Sequence, residues 1–257
     1  MNAPFILNQQ WLIAVVLLSA RLAAMLLVTP FFKALSVSTM VRVLLVFSLA
    51  VVLSVGFSGM MPVADAGLGL LIAAFMAEVA IGATLGLGIL MAFAAFSVAG
   101  RLLDIQIGFG MAQVFDPLSR RLVPILSSLF EQLAIVLFFL VNGHHALLRG
   151  LAYSVERFPP GQFAWSDLNF YAVLKQVSSM FSLGFALVAP VVFCLFLLEF
   201  TMGVFTRNLP QMQIFVLAIP LKIIVGIAAL GLWFTGAQAI MMQIDASIFQ
   251  SWEALFR

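Results

Sequence analysis

Long apolar runs separated by short polar breaks set the pattern of this chain. Five stretches, 43–64, 79–100, 132–155, 176–198 and 223–244, reach the length of a bilayer-spanning helix, about 20 mostly apolar residues. A further run, 11–29, is interrupted by Arg21. The pattern predicts about six hydrophobic helices, and the zone 66–103 is long enough for one tilted or bent helix. The runs lack period-two alternation and are far too long for barrel strands, so the expected fold class is an all-α membrane protein. Breaks fall at Thr29-Pro30, Met61-Pro62, Asp116-Pro117, the polar connection 154–169 with Pro159-Pro160-Gly161, and Arg207 to Gln211. They divide the helices into bent hairpins.

Composition sharpens this picture. Of 257 residues, 64% are hydrophobic and 9% charged, against about 25% charged in a soluble domain. So few charges cannot cover a globule, and membrane lipid or partner subunits must solvate much of the surface. The net charge of +2 comes without a Lys/Arg cluster, which argues against nucleic acid. Cys194 is the sole cysteine, so no internal disulfide and no cysteine-based metal site is expected. The N-terminus has no basic region before its first apolar run, and that run is expected to stay in the mature protein.

Charges inside apolar runs carry the most information, because each costs roughly 2.5–3.5 kcal/mol at a helix centre. From Glu78, four-residue steps reach Gly82 and Gly86, so the three share one helical face. Gly82-x-x-x-Gly86 permits close approach of another helix, and the carboxylate beside it should face protein. Catalysis there would need a second acid, a metal partner or a nucleophile, and none is recognisable. Glu199 and Lys222 lie 10 and 13 positions either side of a turn near Leu209. The offset of three residues, about 4.5 Å of helix, allows a cross-hairpin ion pair; separate interface roles are the alternative. Pro190 and Pro220 fall inside the two helices. Adjacent His144 and His145, after Asn142-Gly143, suit a helix end or turn better than a zinc site. The segment 105–115, with Gly108, Phe109, Gly110, Met111 and Phe115, suits either a deformable gasket or ordinary loop packing. No catalytic residue, metal ligand set or cofactor motif is expected.

Several local patterns then occur in order. Glu78-x-x-x-Gly82-x-x-x-Gly86 precedes Gly100-x-x-x-Asp104-x-x-x-Gly108 and Asp116-Pro117. Asn142-Gly143-His144-His145 and Pro159-Pro160-Gly161 follow, then Leu197-Leu198-Glu199, Arg207-x-x-Pro210-Gln211 and Pro220-x-Lys222. In this order the set resembles the FliR family of the flagellar type III export gate, over nearly the whole chain. The resemblance implies a non-enzymatic subunit, without cofactor, that joins FliP-like and FliQ-like subunits with an FlhB-like protein in the bacterial inner membrane at the flagellar basal body. Exported unfolded flagellar proteins would pass through the assembled channel. It further implies a FliP-like part, 1–160, joined to a FliQ-like hairpin, 161–257, and assigns Phe109, Met111 and Phe115 to an inward-facing plug. Glu199, Arg207 and Lys222 become buried-charge or interface positions. The homologous virulence injectisome subunit is the nearest alternative. A secondary transporter would need matching broken helices in two related halves, which this sequence does not show.

Overall fold

The computed structural model describes residues 9–30, 37–56, 67–109, 124–162, 169–208 and 214–255. Met111, Phe115, Pro210 and Gln211 lie outside them. Eight helices occupy the described residues: α1 (Gln9–Val28), α2 (Thr39–Gly56), α3 (Leu68–Ile107), α4 (Ile125–Leu140), α5 (Gly143–Arg157), α6 (Phe170–Asn208), α7 (Ile214–Phe234) and α8 (Gln238–Leu255). No strand occurs among the described residues. Four helices, α1, α2, α3 and α6, are individually long and apolar enough to cross a membrane; counting each of two bent pairs as one span raises this to six. The protein is an all-α membrane protein, as the apolar runs predict.

Two expected spans are broken. The run 132–155 is not one helix: α4 and α5 meet at a 71° bend. Asn142 adopts a left-handed backbone, φ 58°, and its carbonyl accepts from His145 N and Ala146 N, which starts a new helix in a new direction. The run also contains Arg149 and the two histidines, which make α5 the more polar arm of the bent pair. Similarly, 223–244 breaks at Thr235–Ala237, where α7 and α8 bend by 70°. There Gly236 N and Ala237 N both bond to Trp233 O. The 40 residues of α3 measure about 60 Å, roughly twice the hydrocarbon core of a bilayer. Gly108, at φ +94°, ends it with the left-handed residue that helix C-termini favour.

The chain forms two compact units: Met1–Met91 with Phe138–Gln176 and Ile248–Arg257, and Ala92–Leu137 with Val177–Ser247. In the first, Leu18, Leu22 and Met25 of α1 and Ala77, Ile81, Leu85 and Ile89 of α3 are buried at three- and four-residue spacing. Trp252 of α8 joins this core and donates from Nε1 to Leu85 O at 3.1 Å. Its indole has room because two neighbours are glycine: a Cβ at Gly150 would lie 2.1 Å from the ring and one at Gly88 2.8 Å from Nε1. By contrast, α2 buries only Ala50 and Ser54, while Met40, Val43, Leu44, Phe47 and Val52 are exposed. A helix apolar on all sides and uncovered needs lipid or protein around it.

In the second unit, buried Asp104 holds the start of α4. Its Oδ1 accepts from Leu126 N at 2.9 Å, and its Oδ2 from Ser127 N at 3.0 Å and Ser127 Oγ at 2.8 Å. A carboxylate there satisfies orphan donors and complements the helix dipole. Helices α6 and α7 pair antiparallel. Contacts run from Glu199 with Lys222, through Leu195 with Gly226, to Leu187 with Trp233, so one number falls as the other rises.

Candidate functional site

The most connected polar cluster lies in the first unit, on helices otherwise made of apolar residues. Arg21 of α1 and Glu78 of α3 are both fully buried, and Arg21 Nε contacts Glu78 Oε2 at 2.5 Å. The remaining guanidinium nitrogens reach the end of α5. Nη1 donates to Ser154 O at 3.0 Å and Ser154 Oγ at 3.2 Å, and Nη2 to Phe158 O at 2.8 Å. Ser154 O also accepts from Phe158 N at 3.0 Å, which closes α5, so the guanidinium sits at a helix end whose dipole favours a cation. Arg21 thus both neutralises Glu78 and finishes α5.

Glu78 holds the segment that follows. Its Oε1 accepts from Gly161 N at 3.0 Å. Pro159 O accepts from Gln162 N at 3.1 Å, and Gly161 has φ +79°. These define a tight turn with Pro160 and Gly161 at its centre, where proline presets the first position and glycine alone readily takes the second. One ion pair therefore fastens α1, α3, the end of α5 and the Pro-Pro-Gly turn together. Every polar atom of the pair is hydrogen-bonded, which a buried pair requires if it is not to cost more than it contributes.

Close packing brings the two charges together. A Cβ on Gly82 would lie 2.1 Å from Arg21 O, and one on Gly86 2.7 Å from Met25 O. Positions 21 and 25 thus follow 82 and 86 in the same direction, so α1 lies parallel to α3 in the glycine groove. The helix that occupies the Glu78–Gly82–Gly86 face is α1 of the same chain.

Glu199 and Lys222 meet: Lys222 Nζ donates to Glu199 Oε1, with both side chains partly buried. α6 is long and apolar enough to cross a membrane, and α7 is so together with α8, where each charge alone would be costly. In a double-mutant cycle, Glu199→Ala and Lys222→Ala should show a coupling of about 1–3 kcal/mol. Additivity within about 0.5 kcal/mol, read from thermal unfolding of the detergent-solubilised protein, would reject the pair.

Other expected positions are less gathered. Arg207 is exposed in the last turn of α6, where its charge complements the helix dipole. Phe109 is half-buried just after Gly108. His144 and His145 start α5 with ring centroids 4.2 Å apart, and His144 also lies 5.5 Å from Phe139. Among the described residues, no group of three His, Cys, Asp or Glu side chains is placed to hold a metal.

Sequence reasoning did not join Arg21 to Glu78, although each was visible as a charge within an apolar run. The shared cost of such charges was the available signal. Asp104 enters the sequence reading only within the Gly100-x-x-x-Asp104-x-x-x-Gly108 pattern, which gives no sign of its cap on α4. Asp245, buried in α8 with no hydrogen-bond partner for Oδ2, had no signal beyond its apolar context.

The helices, the buried charges and the uncovered apolar surface define an all-α membrane protein built to pack among lipid or protein neighbours. The chain belongs to the bacterial export proteins, family 1, that is, the FliR family, whose model matches residues 12–248. It is similar to the flagellar biosynthetic protein FliR of Bacillus subtilis strain 168, 36% identical over 151 residues, 58% of each chain. It is also similar to the FliR of Escherichia coli K12, 34% identical over 151 residues, 59% of this chain and 58% of the relative. The secretion system apparatus protein SsaT of Salmonella typhimurium is 28% identical over 146 residues, 56% of each chain. These matches span less than two thirds of the relatives' length.

Proposed function

We propose that this chain is a structural, non-catalytic subunit of a bacterial type III protein export gate, in the inner membrane at the flagellar basal body. The family match across residues 12–248 carries this reading. The uncovered apolar surface of α2 supports it, since a gate subunit meets neighbouring chains. On this reading the partners are FliP-like and FliQ-like subunits and an FlhB-like protein, and the cargo is unfolded flagellar protein. Residues 1–160 correspond to a FliP-like part and 161–257 to a FliQ-like hairpin; this division follows the resemblance and is separate from the two compact units. Glu199, Arg207 and Lys222 stand at subunit interfaces. Phe109, Met111 and Phe115 form an apolar plug that closes the path by excluding water, as hydrophobic constrictions do. The similarity to SsaT favours a second reading, an injectisome gate subunit for another class of exported protein.

Affinity purification from native membranes tests both readings. The chain should bring down FliP-like and FliQ-like proteins, and whether these are the flagellar or the secretion-system versions decides between the two. Recovery alone or as a homo-oligomer would reject the gate. In the same preparation, the triple variant Phe109→Ala, Met111→Ala, Phe115→Ala should assemble normally yet conduct ions several-fold more in planar bilayers. Unchanged conductance would remove the plug role.

A further inference from the structure

We infer that α3 and α5 build a binding site for an indole ring, and that the chain fills it with its own Trp252, which makes 248–255 a strap fastened to the first unit. This goes beyond the export-gate reading and does not depend on it. Three features of the site match three parts of the ring. The pyrrole edge lies against Gly88 of α3, where a Cβ would come 2.8 Å from Nε1 and 3.2 Å from Cδ1. The benzo edge lies against Gly150 of α5, where a Cβ would come 2.1 Å from Cζ3 and 2.3 Å from Cε3. The ring N–H donates to Leu85 O at 3.1 Å, using the second lone pair that a carbonyl within a helix keeps free. Each ring of the indole thus has a glycine beneath it and the one polar atom has its acceptor.

This fit selects the ligand class. Phenylalanine lacks both the donor and the second ring, and tyrosine carries its donor at the tip of a single ring. The α3 wall is itself held: buried Gln176 donates from Nε2 to Gly88 O at 2.9 Å. On the strap, Phe249 meets the indole edge-on, with centroids 5.6 Å apart and ring planes at 87°. Residues 248–255 rejoin the first unit after Val177–Ser247 of the second. Ile248 and Leu255, about one turn to either side of Trp252, are also buried, but aliphatic contacts carry no direction. The Ser251 hydroxyl turns back to Ile248 O within the helix. Among the described residues, the other side-chain hydrogen bond to the strap is a long one, from Asn169 Nδ2 to Ala254 O at 3.4 Å. The indole is therefore the anchor that sets where the strap lands.

Chemical complementation of the detergent-solubilised full chain tests this. Trp252→Ala empties the site and should lower the unfolding temperature by about 10 °C. Free indole at about ten times its Kd should raise it again by about 4 °C. Benzofuran, the same two rings with oxygen in place of the N–H, should recover less than half as much at the same concentration, since it cannot donate to Leu85 O. Trp252→Phe supplies a second measurement on a variant that keeps most of the apolar burial. Its own ring occupies the site, so indole should have no effect on it. Hydrogen exchange in Trp252→Phe should rise about tenfold over 248–255 and stay unchanged around Arg21 and Glu78, because the strap loosens while the unit beneath it holds. No response of Trp252→Ala to indole, or an equal response to benzofuran, would overturn the proposal. So would an equal indole response in Trp252→Phe, unchanged exchange over 248–255, or exchange that rises as much along α1, which would make Trp252 an ordinary part of the core.

Discussion

Glu78→Ala should destabilise the protein by about 3–5 kcal/mol, the usual cost of stranding one member of a buried ion pair, and deplete it from membranes. The variant leaves the guanidinium of Arg21 without its counter-ion in a fully buried position and leaves Gly161 N without its acceptor. Arg21→Ala should be at least as damaging, because it also removes the guanidinium donor to Phe158 O and leaves Ser154 O with Phe158 N alone at the end of α5. Glu78→Gln keeps an oxygen for Gly161 N but loses the charge, so it should fall between Glu78→Ala and the unaltered protein. Limited proteolysis supplies the local readout: cleavage near the Pro159-Pro160-Gly161 turn should rise before the rest of the chain opens. An alanine variant with unaltered thermal unfolding and unaltered proteolysis would show that the pair does not hold these elements together.

A single methyl group at position 82 should have an effect of similar size. Gly82→Ala places a Cβ 2.1 Å from Arg21 O, and a backbone oxygen cannot swing aside as a side-chain tip can. Either α1 withdraws from α3 or the helix distorts, and overpacking of this kind costs about 1–3 kcal/mol, or more where the backbone must move. Moving α1 also pulls Arg21 from Glu78, so the expected loss exceeds about 3 kcal/mol. Gly86→Ala should be milder, its nearest contact being Met25 O at 2.7 Å. Gly203→Ala is the control: a Cβ there meets nothing within 4 Å, and replacing a mid-helix glycine should stabilise by roughly 0.5–1 kcal/mol. Thermal unfolding of the three variants in one detergent gives the ranking. Equal effects at 82 and 203 would refute the close approach of α1.

The order of the ranking depends on features that differ in how far local sequence could reveal them. Helical class, the apolar runs and the punctuation at Pro159-Pro160-Gly161 follow from residue type and short-range spacing, since helix length, proline geometry and left-handed glycine are local properties. The Gly82-x-x-x-Gly86 groove was legible for the same reason, as a face of small residues on a single helix. The α6–α7 ion pair was nearly so, because a short turn constrains which residues can face each other across a hairpin.

Tertiary structure decided the rest. In α3, apolar residues surround the helix, so hydrophobic periodicity could not indicate that Ile81, Leu85 and Ile89 point inward while Leu70, Ile72 and Met76 are exposed. Arg21 and Glu78 stand 57 positions apart, and only the docking of α1 in the glycine groove makes them neighbours. The run 132–155 looked continuous because hydropathy averages over a break that one left-handed residue, Asn142, introduces. Asp104 is only one member of a spaced Gly–Asp–Gly pattern until α4 brings the Leu126 and Ser127 amides to it. Local chemistry specifies what a segment can become, but a contact between distant segments depends on which faces pack, and in a chain this apolar many faces are equally able to.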